Sequence, residues 1–268
     1  RKGKVLAYSQ SHTLGRELAD WPELYFVYNC DFRGRIYCAT SGLSPQGADA
    51  AKGTLTFAKA IKLGTTGVRW LAIHGANVYG VDKVSYEDRV NWIKEREHFF
   101  REVVDDPVGN HKYWAGADKP YQFLAFIFEW AGCDYGRDIT FESSLPVGLD
   151  GTCNGLQHYS AILRDPVGAV ATNLTYSETP QDIYNEVAIK CTEILQGVSD
   201  PRAATWLRVG IERKLTKRPV MTLPYGSKPS SAMTAVFDWL TENWEKFDIA
   251  DKTLQWDYAK FLTPYLWA

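Results

Sequence analysis

Three short stretches carry side chains whose types and spacing suit chemistry on phosphates. Asp150 follows the apolar run SLPVGL and precedes Gly151 and TCNGLQH. A carboxylate at a strand end, with a glycine beside it, can hold a hard cation such as Mg²⁺ while a phosphate comes close. The same residue types also suit a helix N-cap. In RKLTKRPVMTLPYGS, residues 213–227, Arg213 and Lys217 stand four apart and share a face if the segment is helical. Cations stacked in this way suit a triphosphate. Tyr225 supplies a ring on which a base can stack, and Gly226 permits a close backbone approach. A solvated amphipathic helix would carry the same charges. In DFRGR, residues 31–35, Arg33 and Arg35 flank Gly34 in a turn between two strands. That turn presents guanidinium groups either to phosphates or to water.

Other chemistries find no support. The five histidines, at 12, 74, 98, 111 and 158, form no metal-ligand pattern with each other or with cysteine. Cys153 and His158, five apart, are read as core residues. There is no GxxxxGK[ST] loop and no GxSxG elbow, which argues against P-loop enzymes and α/β-hydrolases. The formal net charge is −2, so any surface for nucleic acid must be a local one. Cysteines 30, 38, 133, 153 and 191 include no CxxC pair and read as reduced thiols of a cytosolic protein. The longest apolar run, FLAFIF at 123–128, is far too short to span a membrane. The apolar, aromatic end TPYLWA and the lack of an initiating Met suggest a piece of a longer protein.

The elements that must position these residues follow from periodicity and punctuation. LYFVYNCDFRGRIYC, 24–38, reads as two strands about a tight turn. Helical spacing covers 68–80 and 86–104, with Ile93, Phe100, Val103 and Val104 on one face. A buried helix is expected over 119–131. A short strand at 144–150 should run into a glycine turn and a helix over 154–164. Thr179 as cap, Pro180 at the first helical position, Asp182 as its capping-box partner and Gly197 past the end mark a further helix. Asp200-Pro201 starts another helix that leads toward Arg213. Pro219 lacks the donor for the Leu215 carbonyl, and Pro224 marks the helix end. The expected fold class is α+β and mainly helical.

A metal-holding carboxylate, a basic face with an aromatic end and an arginine turn are together what a nucleotidyl transferase would need. In order, DFRGR, LDGTCNGLQH and RKLTKRPVMTLPYG resemble the single-subunit DNA-dependent RNA polymerases of T-odd bacteriophages and their mitochondrial relatives. SPQGADAAKG (44–53), WLAIHGANVYGVDKV (70–84) and SETPQDIYNEV (177–187) extend the likeness to roughly residues 22–230.

The resemblance implies an incomplete right-hand polymerase fold. Residues 1–21 would be a linker after a missing thumb and N-terminal region, and 22–60 the first part of the palm. Residues 61–140 would be a helical palm insertion, 141–166 the palm strand and helix bearing the first catalytic carboxylate, and 167–268 truncated fingers. Asp150 would bridge two Mg²⁺ ions, assisted by the Gly151 carbonyl. Arg213 and Lys217 would grip the incoming triphosphate, with Lys217 a proton donor to pyrophosphate, and Lys83 would reach the phosphates too. Tyr225, with Gly226, would check the sugar, and Tyr184 would line the path of the incoming nucleotide. Asp31, Arg33, Gly34, Arg35 and Lys52 would contact nucleic acid. The implied partners are a double-stranded DNA template with its promoter, nascent RNA and NTPs. No membrane is involved, and the protein would act as a monomer in the cytoplasm of an infected bacterium, or else in a mitochondrion or plastid.

Two alternatives stand beside this reading. DNA polymerases of the same superfamily share the R-x3-K-x7-YG spacing, but place a glutamate five residues after the aspartate; here that position is Gly155, which leaves room for a ribose 2′-hydroxyl. A truncated, non-catalytic relative that only binds nucleic acid is the other. The family's second aspartate belongs to a His-Asp segment, and no His-Asp pair occurs in these residues, so the chain by itself is expected to be inactive. Ser230 stands where some relatives carry an aromatic residue, and the connection at 197–201 is short.

Overall fold

The computed structural model describes residues 2–267. It divides into two compact units, one ending at Leu149 and the other beginning at Asp150. Among the described residues the chain is mainly helical, with two small antiparallel sheets.

The first unit opens with α1 (Lys2–Glu17) and continues into the hairpin β1 (Tyr28–Cys30) and β2 (Ile36–Cys38). The pair is antiparallel with Asn29 opposite Tyr37, as the residue pattern predicts. Helix α2 (Asp49–Gly53) follows, then β3 (Ile61–Lys62), α3 (Gly64–Tyr79), α4 (Tyr86–Lys94), α5 (Glu97–Asp105), α6 (Pro120–Gly132) and β4 (Glu142–Ser143). Strand β4 pairs antiparallel with β3. The core lies between α3, α4, α5 and α6. Leu71, Ile73, Ile93, Phe100, Val103, Phe123, Phe126 and Trp130 are fully or almost fully buried there.

Two expectations for this unit change. The single helix expected over 86–104 is broken at Glu95–Arg96. In a continuous helix the Trp92 carbonyl would accept from the Arg96 amide. Instead the Arg96 amide bonds to Ile93 O at 3.1 Å, and the Arg96 guanidinium takes Trp92 O at 3.0 Å while lying 4.1 Å over the Trp92 ring. A side chain has taken the helix's acceptor, and the axis turns there. The strand expected at 144–150 is also absent. The ladder stops at Ser143, with one further bond from the Phe57 amide to Ser144 O at 2.8 Å. Pro146 has no N–H to continue it, and Leu149 is 92% exposed.

The second unit has no strand among its described residues; its α-helices are α7 (Asn154–Leu163), α8 (Pro166–Ala171), α9 (Ile183–Gln196), α10 (Pro201–Val209), α11 (Arg213–Thr222), α12 (Pro229–Glu242), α13 (Trp244–Phe247) and α14 (Lys252–Trp267). Its main core gathers Leu195, Trp206, Leu215, Val236, Leu240, Phe247 and Leu262 from six of these helices. A smaller buried cluster of Cys153, Tyr184 and Val220 joins α7, α9 and α11. Cys153 is thus a core residue as expected, but His158 is exposed on α7. The cap of α9 also shifts. Asn173 bonds both ways to Gln181, accepting its amide at 2.7 Å and donating to its carbonyl at 2.8 Å. That holds 179–181 outside the helix, and Asp182, not Thr179, is the N-cap, accepting the Tyr184 amide at 3.2 Å. Asp200 caps α10 as the sequence suggests.

One contact in the first unit generates a stability test. Gly75 sits mid-helix in α3, where glycine costs about 1 kcal/mol relative to alanine. A Cβ there would lie 2.3 Å from Cζ of the fully buried Phe126 ring. Gly75→Ala is therefore expected to destabilise the chain by about 1–3 kcal/mol despite its better helix propensity. A denaturant melt that shows Gly75→Ala to be as stable as the parent would refute this packing argument.

Candidate functional site

The residues singled out by the sequence fall in both units, and each group is built locally. In the first unit, the DFRGR turn is organised by Asp31. Its carboxylate accepts the Arg33 and Arg35 amides at 2.9 and 3.0 Å and the Arg33 guanidinium at 2.9 Å. Gly34 has φ +82°, the left-handed conformation the turn requires. The backbone bond from Arg35, then those from Arg33, hold the Asp31 carboxyl below its ordinary range. Asp31 is therefore spent on the turn. Arg35 is exposed and makes no side-chain hydrogen bond or ion pair among the described residues. Gln46 fastens the following segment to β2, accepting from the Cys38 amide at 2.7 Å and donating to Ile36 O at 2.9 Å. That segment leads into α2, where Lys52 is exposed.

Lys83 stands on the loop between α3 and α4, exposed and 2.9 Å from Asp82. Arg89 holds this loop from inside. Buried on α4, it donates to Asp82 O at 2.9 Å, Val84 O at 3.1 Å and Asn77 Oδ1 at 2.9 Å. The carbonyls on either side of Lys83 are thus fixed, and its ammonium is turned outward. Sequence reading missed Arg89; an arginine on the expected buried side of a helix was the available signal.

In the second unit, α7, α9 and α11 and the turns beside them carry the remaining residues. The N-cap of α7 is Cys153, in the left-handed region at φ +51°, with no side-chain cap bond. Asp150 is therefore not the cap of that helix. It is exposed, and among the described residues its carboxylate accepts only the adjacent Gly151 amide, at 2.9 Å. Helix α11 carries Leu215, Thr216, Pro219 and Val220 inward. Thr216 donates to the Tyr184 carbonyl at 2.6 Å, binding α11 to α9.

On α11, Arg213 donates through Nε to Asp182 Oδ2, and its guanidinium lies 5.1 Å over the Tyr184 ring. The terminal amino groups of the fork have no partner among the described residues. Tyr184 is only 6% exposed; burial above all, then its bond with Cys153, pushes its phenol well above the ordinary range. In this structure Tyr184 is a floor beneath Arg213. Lys217, one turn on, is exposed without a side-chain partner among the described residues, whereas Arg218 pairs with Asp238 at 2.8 Å.

The helix ends at Thr222, and a 3-10 turn, Leu223–Tyr225, closes on Gly226 at φ +77°. Tyr225 is 61% exposed, and its hydroxyl donates to Asn154 Oδ1 at 3.1 Å. A Cβ on Gly155 would lie 2.8 Å from Pro224 Cβ and 3.4 Å from Tyr225 Cζ. The space beside Gly155, expected from the sequence to be open for a ribose 2′-hydroxyl, is instead filled by the 224–225 turn, which needs a glycine to come so close.

No group of three or more His, Cys, Asp or Glu side chains able to hold a metal occurs among the described residues. Asp150 and the Gly151 carbonyl are hard oxygen donors of the kind Mg²⁺ takes, and they fit as part of a site completed by phosphate oxygens and other ligands.

Two outcomes follow from these contacts. Because the Asp31 carboxyl is held below its ordinary value of 3.8, its support of the turn is present above that value and is lost as pH falls through the lower folded one. NMR titration should show the Asp31 carboxyl and the Arg33 and Arg35 amides moving together below pH 3.8; independent midpoints would contradict this. Asp182→Ala should cost about 1 kcal/mol through loss of the α9 cap, and Asp182→Asn should restore most of it. Equal melting of both variants and the parent would count against the cap.

Comparison with known proteins matches the sequence to one family. A family model described as DNA-dependent RNA polymerase matches residues 61–268. The DNA-directed RNA polymerase of Enterobacteria phage K11 is 41% identical over 249 residues, 83% of this chain and 27% of that protein. T7 RNA polymerase of Escherichia phage T7 is 41% identical over 85% of this chain and 28% of its own length. The mitochondrial DNA-directed RNA polymerase of Neurospora crassa is 41% identical over 75% of this chain and 14% of its own. The chain thus spans little more than a quarter of the phage relatives it matches. No helix among the described residues is long and apolar enough to cross a membrane. The chain belongs to the DNA-dependent RNA polymerase family.

Proposed function

We propose that this chain forms part of the catalytic region of a DNA-directed RNA polymerase, which transfers ribonucleoside monophosphates from NTPs to an RNA 3′ end on a DNA template. The observation that carries the reading is that one unit holds an exposed Asp150 carboxylate bonded to the Gly151 amide, a Lys217 on α11 with no side-chain partner among the described residues, and an exposed Tyr225 seated on the start of α7.

Phosphoryl transfer asks the protein mainly for positioning and charge neutralisation. Asp150 and the Gly151 carbonyl would hold Mg²⁺, which when bound activates the attacking hydroxyl and offsets charge on the leaving pyrophosphate. A two-ion site would need a further carboxylate besides Asp150, and no cluster of three or more metal-ligating side chains occurs among the described residues, so the chain alone is expected to incorporate nothing. Lys217 offers its ammonium without a competing carboxylate among the described residues, and would serve as proton donor to pyrophosphate. Arg213 is anchored at Nε, which leaves the two ends of its fork for phosphate oxygens. Tyr225, fixed by Gly226 and the 3-10 turn, meets the sugar, with buried Tyr184 as the wall behind Arg213. In the first unit, Lys83 would reach phosphates, and Arg33, Arg35 and Lys52 would contact nucleic acid, with Asp31 and Gly34 shaping the turn that presents the arginines.

The working partners are double-stranded template DNA with its promoter, nascent RNA and NTPs, and the polymerase acts as a monomer. Phage relatives favour the cytoplasm of an infected bacterium; organellar relatives make a mitochondrion or plastid the other setting. Residues 22–60 and 141–166 are assigned to the palm, 61–140 to its insertion, 167–268 to the fingers and 1–21 to a linker. That the similar proteins are named DNA-directed RNA polymerases favours ribonucleotides over the DNA polymerase alternative.

A polymerase carrying this chain, given template DNA, NTPs and Mg²⁺, should extend RNA. Asp150→Ala should reduce extension to background, and Lys217→Ala by about 100-fold. Full activity in both folded variants would overturn the assignment.

A further inference from the structure

Asn154 opens α7, four residues after Asp150, and its side chain is the hydrogen-bond partner of the Tyr225 hydroxyl. The contact spans 71 residues of sequence. The rest of the Tyr225 ring is largely open, apart from its approach to Gly155. Beyond its own turn, two contacts on α7 therefore orient this side chain. The glycine sets how close the ring lies to α7, and Asn154 sets where its hydroxyl points.

We propose that Asn154 is a positioning residue that makes the polymerase read the sugar through Tyr225, which rests on the nucleotide role assigned to Tyr225 above. A phenol has one hydrogen to donate and lone pairs that accept. With the hydrogen given to Asn154 Oδ1, the oxygen turns toward the site as an acceptor only. A ribose 2′-hydroxyl can donate to it. A 2′-deoxyribose has only C–H at that position and leaves the acceptor without a partner, which costs affinity. Without Asn154 the hydroxyl rotates freely, and its hydrogen can face either sugar. The selectivity is then written in the partner that holds the hydroxyl as well as in the ring. Asp165, which caps α8, and Asp182, which caps α9, are already engaged and do not contact the phenol.

The test compares the polymerase carrying this chain with its Asn154→Ala and Asn154→Asp variants, using UTP and dUTP on the same template. Asn154→Ala should lower the UTP-to-dUTP ratio of kcat/KM roughly 3- to 10-fold, the worth of one neutral hydrogen bond. Asn154→Asp keeps an acceptor at the same place, and should keep the ratio whatever its charge does to the overall rate. Lys217→Ala should slow both substrates and leave the ratio alone. Tyrosine labelled with ¹³C at Cζ gives a second readout on this chain itself: the Tyr225 signal should move in Asn154→Ala and stay near its place in Asn154→Asp. If the wild type prefers UTP and Asn154→Ala prefers it equally, the inference fails while the role of Tyr225 stands. If the wild type does not prefer UTP, or incorporates neither nucleotide, the reading beneath the inference fails and takes the inference with it.

Discussion

Everything assembled in the second unit depends on one small buried contact, the meeting of Cys153, Tyr184 and Val220. Each comes from an element that carries a candidate residue. Cys153 ends the turn that begins at Asp150, Tyr184 follows the Asp182 cap, and Val220 lies on α11 between Lys217 and the 224–225 turn. Burying these side chains fixes the three backbones relative to one another. The polar bonds, Thr216 to the Tyr184 carbonyl and Arg213 to Asp182, then set the rotation of α11 on α9. The left-handed backbone at Cys153 is strain of a kind that persists only where the surroundings hold it. Here the burial of its own side chain is part of what holds it.

The cations of this protein sort by whether they are already engaged. Arg89, Arg96, Arg202 and Arg218 bond to carbonyls or carboxylates of the chain and act as internal fasteners. Among the described residues Lys217 and Arg35 have no such partner, and they project from a helix and a tight turn. Arg213 is intermediate, held on one side and open on the other. A net charge of −2 conceals this difference, since what matters for a polyanion is where uncommitted positive charge stands.

Features with local causes were legible in the sequence. The 31–35 turn is closed by its own aspartate and glycine, so DFRG states its geometry. The apolar density of 119–131 leaves little choice but a buried helix, and α6 is that helix. Spacing put Arg213 and Lys217 on one helix, and they are. What was not legible arises from contacts between distant residues or from side chains acting as backbone. The break at Arg96 needs a guanidinium to take a carbonyl, the cap at Asp182 needs Asn173 to hold the preceding residues aside, and the missing strand at 144–150 reflects a proline where a donor was needed. Of the candidate site, Asp150 could be found as a carboxylate but not distinguished from a cap until α7 proved to start at Asn154 after Cys153. The bond between Asn154 and Tyr225 has no sequence signal, because neither residue type demands the other.

Asp182 holds two offices at once, one carboxylate oxygen on the Tyr184 amide and the other on Arg213. A residue of that kind narrows the paths open to evolution. Any mutation there is judged twice, once by the folding of α9 and once by whatever Arg213 grips, and a replacement that satisfies only one judge is discarded. Drift in related chains should therefore bring these two positions together as a covarying pair, well before either is fixed for its own sake.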